Sequence, residues 1–306
     1  MNSEPIIKFR NLSKRFDLNE VLKDITLDIT SGGITGLVGS NGSGKSTLLR
    51  HIIGLYLPSR GSCGVFNVDA GELSATELAR IGYVHQEGQL IGWMNVREII
   101  DYVTAHYQGW NKSLENEYIK RFDIDLNSSV GSLSPGQRQK LAILLAVGFE
   151  PELLVLDEPA SALDPLARNE FLQLLLDIIR DDKRTIIISS HILSDIEKII
   201  DHVLILHKGR LCRDCGFDEL QEEFLKLKLR TLNGSLPDIL PLPDVINYER
   251  DDNEALLVMK NSRLDLNGLA EDLNCEVREI PLGFEEVYGL VLKEHEVNQE
   301  RIKLGS

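Results

Sequence analysis

The sequence holds few cysteines, two tryptophans and no surplus of basic residues. Several of its shortages narrow the range of possible functions. Four cysteines in 306 residues, Cys63, Cys212, Cys215 and Cys275, are too few to staple a chain of this length as a disulfide scaffold. Cys212-Arg-Asp-Cys215 has the spacing of half a metal site, but no second pair answers it. A structural zinc takes about four ligands, and His207 nearby still leaves the set incomplete. The expected state of these thiols is reduced. Lysine and arginine number 33 against 48 aspartates and glutamates, a formal net charge of -15. A broad nucleic-acid face needs basic residues to neutralise phosphates, so no nucleic-acid partner is expected. No apolar run approaches the roughly 20 residues of a membrane-spanning helix. The best candidate, LAILLAV at Leu141 to Val147, is flanked by Lys140 and Glu150 and reads as a buried helix. The N-terminal MNSEPIIKFR lacks the pattern of a secretory signal. The expectation is a cytoplasmic chain whose membrane role is peripheral.

What is present is a core-forming chain, 42% hydrophobic, with strands alternating with helices. Ile6 to Phe16 and Val21 to Ile29 alternate as strands around a turn at Asp17-Leu-Asn19. Ile34 to Val38 is a short apolar strand that runs into a glycine-rich loop and a helix over Thr47 to Leu55. Ile81 to Val84, Leu153 to Leu156 and Thr185 to Ser190 read as further strands, with helices over Ser134 to Gly148 and Arg168 to Arg180. Alternating strands and helices predict a parallel sheet with crossover helices. Between Asn95 and Phe122 a mixed helical stretch carrying Trp110 reads as an inserted lobe. Composition changes near Glu222. The alternating Leu225 to Arg230 reads as an edge strand with one solvated face. Prolines and Asn-Gly gather over Asn233 to Pro243. Strands at Val245 to Arg250, Ala255 to Lys260 and Glu276 to Ile280 follow, with helices at Leu264 to Leu273 and Phe284 to Glu294, then a charged tail expected to fray. The reading is two domains, 1–222 with a helical lobe over about 88–150, and a small α+β unit over 223–306.

Two stretches carry phosphate chemistry. Gly39-Ser40-Asn41-Gly42-Ser43-Gly44-Lys45-Ser46 fits G-x-x-x-x-G-K-[ST] between a strand and a helix. Its glycines let backbone amides wrap an anion. Lys45 supplies a charge for the β and γ phosphates, Ser46 a hydroxyl for Mg²⁺, and Thr47 a bond to the α phosphate. Leu153 to Asp157-Glu158 brings two acids to the end of an apolar strand. Asp157 suits Mg²⁺, and Glu158 is placed to deprotonate an attacking water. A third stretch, LSPGQ at Leu133 to Gln137, reads as a helix start: Ser134 as cap, Pro135 in the first turn, free amides facing an anion.

The order of these pieces resembles the ATP-binding-cassette family over about residues 5–220. The phosphate loop is followed by Gln86 after a strand, LSPGQ, Asp157-Glu158, Ser161-Ala-Leu-Asp164 and His191 after IIISS. The resemblance implies an α/β P-loop NTPase core with antiparallel and helical subdomains, and an ATPase using ATP and Mg²⁺. It implies that two chains pack head to tail, so that Ser134 and the amides of Gly136 and Gln137 cap the γ phosphate held by the partner. Gln86 would touch the metal or the water, His191 the γ phosphate, and Asp164 the dimer seam. Phe16 stands where relatives stack a ring on adenine; a place in the core is its other reading. Pro135 departs from the usual LSGGQ and removes one backbone donor. One phosphate loop per chain implies a second cassette, most simply a homodimer, with a heterodimer as the alternative. The work implied is transport through a separately encoded membrane subunit, docked in a groove near Leu90 to Val103. An exporter is the leading expectation; an importer and a non-transport cassette are the alternatives.

Overall fold

The computed structural model describes residues 4–86, 90–179, 184–232, 236–237, 240, 242–261 and 264–304. The chain divides into two compact units, Met1–Asp214 and Cys215–Ser306.

In the first unit, β1 (Pro5–Phe16) and β2 (Asn19–Thr30) form an antiparallel hairpin, closed where Phe16 pairs with Asn19. β3 (Gly33–Val38) then runs into a loop and α1 (Lys45–Ile52). β4 (Arg60–Val65) and β5 (Val68–Asp69) return to the hairpin, giving the sheet order β2-β1-β4-β5. The chain continues through α2 (Ala75–Leu78) and β6 (Ile81–Val84) into a lobe of α3 (Val96–Thr104), α4 (Lys112–Arg121) and α5 (Pro135–Val147). β7 (Leu153–Asp157), α6 (Pro165–Ile179), β8 (Thr185–Ser190), α7 (Leu193–Ile196), β9 (His202–His207) and β10 (Arg210–Gly216) complete a six-stranded sheet of order β10-β9-β3-β8-β7-β6. The sequence reading passed over β4, β5, β9 and β10. RGSCGV in β4 has two glycines and little alternation, and HVLILH in β9 is a short apolar run with no period of its own.

β7 explains the sheet's strength. Its neighbours β6 and β8 are both parallel to it, and all five of its residues are buried. A strand covered on both faces needs a continuous apolar run, which LLVL supplies. Each buried leucine or valine contributes about 2 kcal/mol. The two sheets share one core: Ile7, Phe9 and Ile25 from the hairpin meet Leu37, Val155 and Ile187, with Leu48, Leu49 and Ile52 of α1 in the same cluster. Among the described residues, no helix is long and apolar enough to cross a membrane.

The second unit contains α8 (Phe217–Glu222), β11 (Phe224–Thr231), β12 (Val245–Asp251), β13 (Glu254–Lys260), α9 (Leu266–Asp272), β14 (Cys275–Glu279) and α10 (Phe284–Leu304). Its antiparallel sheet has the order β12-β13-β11-β14. β11 is therefore interior, which corrects the expectation of an edge strand. Its leucines 225, 227 and 229 enter a core with Leu257 and Met259, while Lys226, Lys228 and Arg230 take the other face. Alternation identifies a two-faced strand; it does not say whether that strand has one neighbour or two. α10 continues to Leu304, past the expected fraying point. The run of Glu, Lys and Gln there is made of good helix formers. The division at Asp214 precedes the composition change near Glu222 because α8 belongs to this unit, where Phe217 meets Phe284 edge-on at 5.0 Å. Most of the Pro- and Asn-Gly-rich stretch 233–243 lies outside the described residues, as do Arg180 and the first residues of the expected lobe, 88 and 89.

Candidate functional site

Sheet order brings the chemistry together. β8 lies between β3 and β7, with Val38 opposite Ser190 and Asp157 opposite Ser189. The C-terminal ends of three parallel strands thus deliver the phosphate loop, Ser189 to His191, and Asp157-Glu158 to one place. Such sheet ends are where parallel α/β folds bind ligands.

The loop's shape depends on its glycines at two points. A Cβ on Gly39 would stand 2.3 Å from the Leu206 carbonyl oxygen, and Gly44 caps α1 at φ 110°, a left-handed backbone that glycine adopts freely. The Ser43 amide donates to the Ser40 carbonyl at 3.1 Å, closing the turn. Asn41 and Gly42 form its exposed tip, and Thr47 is half-buried in the first turn of α1.

Behind the loop lies a buried charge cluster. Lys45 and Glu158 are each 5% exposed and Asp157 is fully buried. Lys45 Nζ donates to the Gly39 carbonyl at 2.7 Å and lies 3.2 Å from Glu158 Oε1. Glu158 Oε2 contacts His191 Nδ1. The hydroxyls of Ser46 and Ser189 both donate to Asp157 Oδ1, at 2.9 and 3.0 Å. The Glu158 amide donates to Ser189 Oγ at 2.9 Å, which pins a residue held at φ 49°. Removing one member of such a buried pair costs about 3–5 kcal/mol, because the other charge is left unmatched. Asp157 Oδ2 is buried with no hydrogen-bond partner. An orphaned carboxylate oxygen beside a serine hydroxyl whose proton points elsewhere is a donor set that fits Mg²⁺, a cation that takes oxygen ligands. Ser189 was absent from the sequence reading; its only signal was a small polar residue closing an isoleucine strand.

Other expected residues lie outside this cluster. Gln86 is exposed after β6. Ser134 caps α5 in a reciprocal box: the Gln137 amide donates to Ser134 Oγ at 3.2 Å, and the Ser134 amide to Gln137 Oε1 at 3.0 Å. Ser134, Pro135 and Gln137 are exposed and Gly136 half-buried. The signature donors are thus presented outward and not to this chain's own loop, and the Gln137 amide is engaged in the cap. Asp164 Oδ1 accepts from the amides of Leu166 and Ala167 at 3.0 Å. The Ala167 amide holds its carboxyl below the usual range. Phe16 is 39% exposed, which removes the core reading. Its ring meets Tyr56 edge-on at 5.2 Å, and Lys14 Nζ sits 4.9 Å from the Phe16 centroid.

An open apolar groove of about 590 Å³ lies on the lobe side, lined by Tyr83, His85, Leu90, Val103, Tyr107 and Phe149 among others.

Comparison with known proteins gives the same reading. The family profile described as "ABC transporter" matches residues 22–161. The chain is 31% identical over 250 residues to the bacitracin transport ATP-binding protein BcrA of Bacillus licheniformis, covering 80% of this chain and 81% of that one. It is 31% identical over 314 residues to the methionine import ATP-binding protein MetN of Chlamydia felis, covering 93% and 90%. Among solved structures it is similar to the dimeric post-hydrolysis ATP-binding cassette MJ0796 bound to ADP and Pi, with a TM-score of 0.62, 26% identity, and 69% of this chain and 98% of that one covered.

Proposed function

The chain belongs to the ATP-binding subunits of ABC transporters, an ATPase with the P-loop NTPase fold, and from that premise we propose that two copies close head to tail on two ATP molecules and drive a separate membrane subunit. The observation that carries this is the pairing of a phosphate loop backed by a buried charge cluster with an outward-facing signature. Lys45, Asp157 and Glu158 form one cluster, while the side chains of Ser134 and Gln137 cap each other's amides at the exposed start of α5.

Lys45 is the pivot. Its ammonium is shared by the Gly39 carbonyl and Glu158. A γ phosphate competing for that ammonium releases the Glu158 carboxylate, which then accepts a proton from the attacking water. His191, in contact with Glu158 Oε2, orients the carboxylate and adds a polar group near the γ phosphate. Ser46 and Asp157 would hold Mg²⁺, with Gln86 completing the set. When bound, Mg²⁺ supplies positive charge that offsets the phosphates. The Ser134 hydroxyl and the Gly136 amide of one copy face the γ phosphate in the other, with Asp164 near the seam, and Phe16 takes the adenine. The groove takes a helix of the membrane subunit, so the protein works at the cytoplasmic face of the membrane.

Export is the direction we favour, on the likeness to a bacitracin transport subunit and on a single cassette followed by a small α+β unit of regulatory or dimer-steadying role. Import is the second reading, favoured by the match to a methionine import subunit that extends over 93% of this chain. Co-purification of a multi-span partner from detergent-solubilised membranes, followed by transport assays in oriented vesicles, tests both. Absence of any membrane partner would contradict the transport reading.

A further inference from the structure

Arg50, in α1, bridges the aromatic pair Phe16–Tyr56 and the apolar groove. Arg50 Nη1 donates to the Tyr56 hydroxyl at 3.1 Å, and Arg50 Nη2 to His85 Nε2 at 2.9 Å. A guanidinium only donates, so His85 Nε2 is the acceptor. On one side, Tyr56 meets the exposed Phe16 ring edge-on at 5.2 Å. Lys14 Nζ lies 4.9 Å from the Phe16 centroid and 5.4 Å from that of Tyr56, and is held by the Leu57 carbonyl at 2.8 Å. On the other side, His85 lines the apolar groove together with Tyr83, their rings edge-on at 6.2 Å. One side chain therefore orders both the aromatic shelf and a wall of the groove.

We propose that Arg50 is a positioning residue that links the aromatic shelf holding the nucleotide base to the membrane-subunit groove, through Tyr56 on one side and His85 on the other. The inference rests on the reading of Phe16 as the base contact. An edge-to-face pair prefers a narrow range of orientations. With the Tyr56 hydroxyl tied to a guanidinium that is itself tied to His85, a swing of the Tyr56 side chain is transmitted to the groove wall. Stacking of a base on Phe16 then favours the groove arrangement in which His85 accepts from Arg50. By reciprocity, an occupant that displaces His85 loosens the base site. The link runs through Arg50, Tyr56 and His85, none of them a residue of the phosphate loop. The coupling therefore belongs to the base, and a triphosphate without a base should not feel it.

The test is calorimetric binding to the full chain of two probes with Mg²⁺, ATP and inorganic tripolyphosphate. His85→Ala, on the groove side of the link, should weaken ATP about five-fold and Arg50→Leu about ten-fold, while tripolyphosphate binds as to wild type. Tyr56→Phe combined with His85→Ala should cost no more than the larger single effect, since both cut one link. Wild-type ATP affinity in His85→Ala, with Phe16→Ala weakened, overturns the link alone. ATP affinity unmoved by Phe16→Ala overturns the base contact and the link with it. Parallel loss of both probes also overturns the proposal, because the residues would then act through the phosphate loop or the fold.

Discussion

The phosphate loop and the signature stretch each open a helix with a serine close by, yet they are built in opposite ways. The loop at Gly39–Ser46 is finished by residues far away in sequence: Asp157 and Glu158 at the end of β7, Ser189 and His191 at the end of β8. Lys45, Asp157 and Glu158 are nearly or fully buried, and Lys45 faces Glu158. The signature at Ser134 is finished by residues three apart, Ser134 and Gln137, and stays exposed. The first is a site that tertiary structure completes. The second is a local cap whose further use needs a surface from outside the chain.

That contrast can be broken at four points. The largest effect belongs to Glu158→Gln, which should lower ATP turnover about 10²–10⁴-fold while ATP still binds, since the amide keeps the shape and cannot take a proton. Phosphate release in single turnover checks it; wild-type turnover would remove Glu158 from the reaction. Next is Lys45→Ala, which removes the charge shared by Glu158 and the loop carbonyls. ATP affinity should fall about 30-fold, the low end for truncating one partner of a buried pair. Calorimetry reads this directly.

Smaller effects belong to the signature. Ser134→Ala should cost about 1 kcal/mol of stability as a lost cap, seen in urea unfolding. It should leave the ATP affinity of one chain unchanged, and lower turnover only where chains meet. A change in single-chain affinity would mean that the two sites are not separate. Smallest is a pH effect in the lobe that carries this helix. The Glu115 carboxylate, 1% exposed, accepts from Trp110 at 2.7 Å, Lys112 at 2.7 Å and Arg97 at 3.0 Å. Burial pushes its carboxyl up, but the bonds from Lys112, Trp110 and Arg97 outweigh it and hold it below the ordinary range. A depressed carboxyl stabilises the fold above its unfolded pKa, about 4.3, and that contribution fades as pH falls through the folded value. Lys112 and Arg97 are themselves well exposed, so the effect is modest. Urea midpoints measured below about pH 4.3 should fall less steeply in Glu115→Gln than in wild type; identical slopes would contradict the depressed carboxyl.

The same contrast governs what the sequence made legible. The loop, the acids of β7 and the cap at Ser134 follow local rules: glycines before a lysine, an apolar strand ending in carboxylates, a hydroxyl before a proline. Each could be read without knowing its neighbours. Ser189 could not, because its role comes from register: it lies opposite Asp157 on an adjacent strand. His85 is hidden for the same reason, since it meets Arg50 across 35 residues, whereas Tyr56 lies six residues from Arg50 and no motif marks that pair. Phe16 was ambiguous as a letter, since a ring at a strand end suits the core or a ligand equally, and only its exposure separates the two. The place of β11 inside its sheet was hidden because alternation specifies faces and not neighbours.

The central claim is that a triphosphate bound at Lys45 is completed by a second chain's Ser134. Its most direct test is the solution mass of the Glu158→Gln protein with and without ATP and Mg²⁺, measured by sedimentation. A doubling of mass that requires nucleotide and disappears in the Ser134→Ala, Glu158→Gln double variant is the result expected. A protein that binds ATP to saturation and keeps a monomer's mass, alone and with its membrane partner, would contradict it.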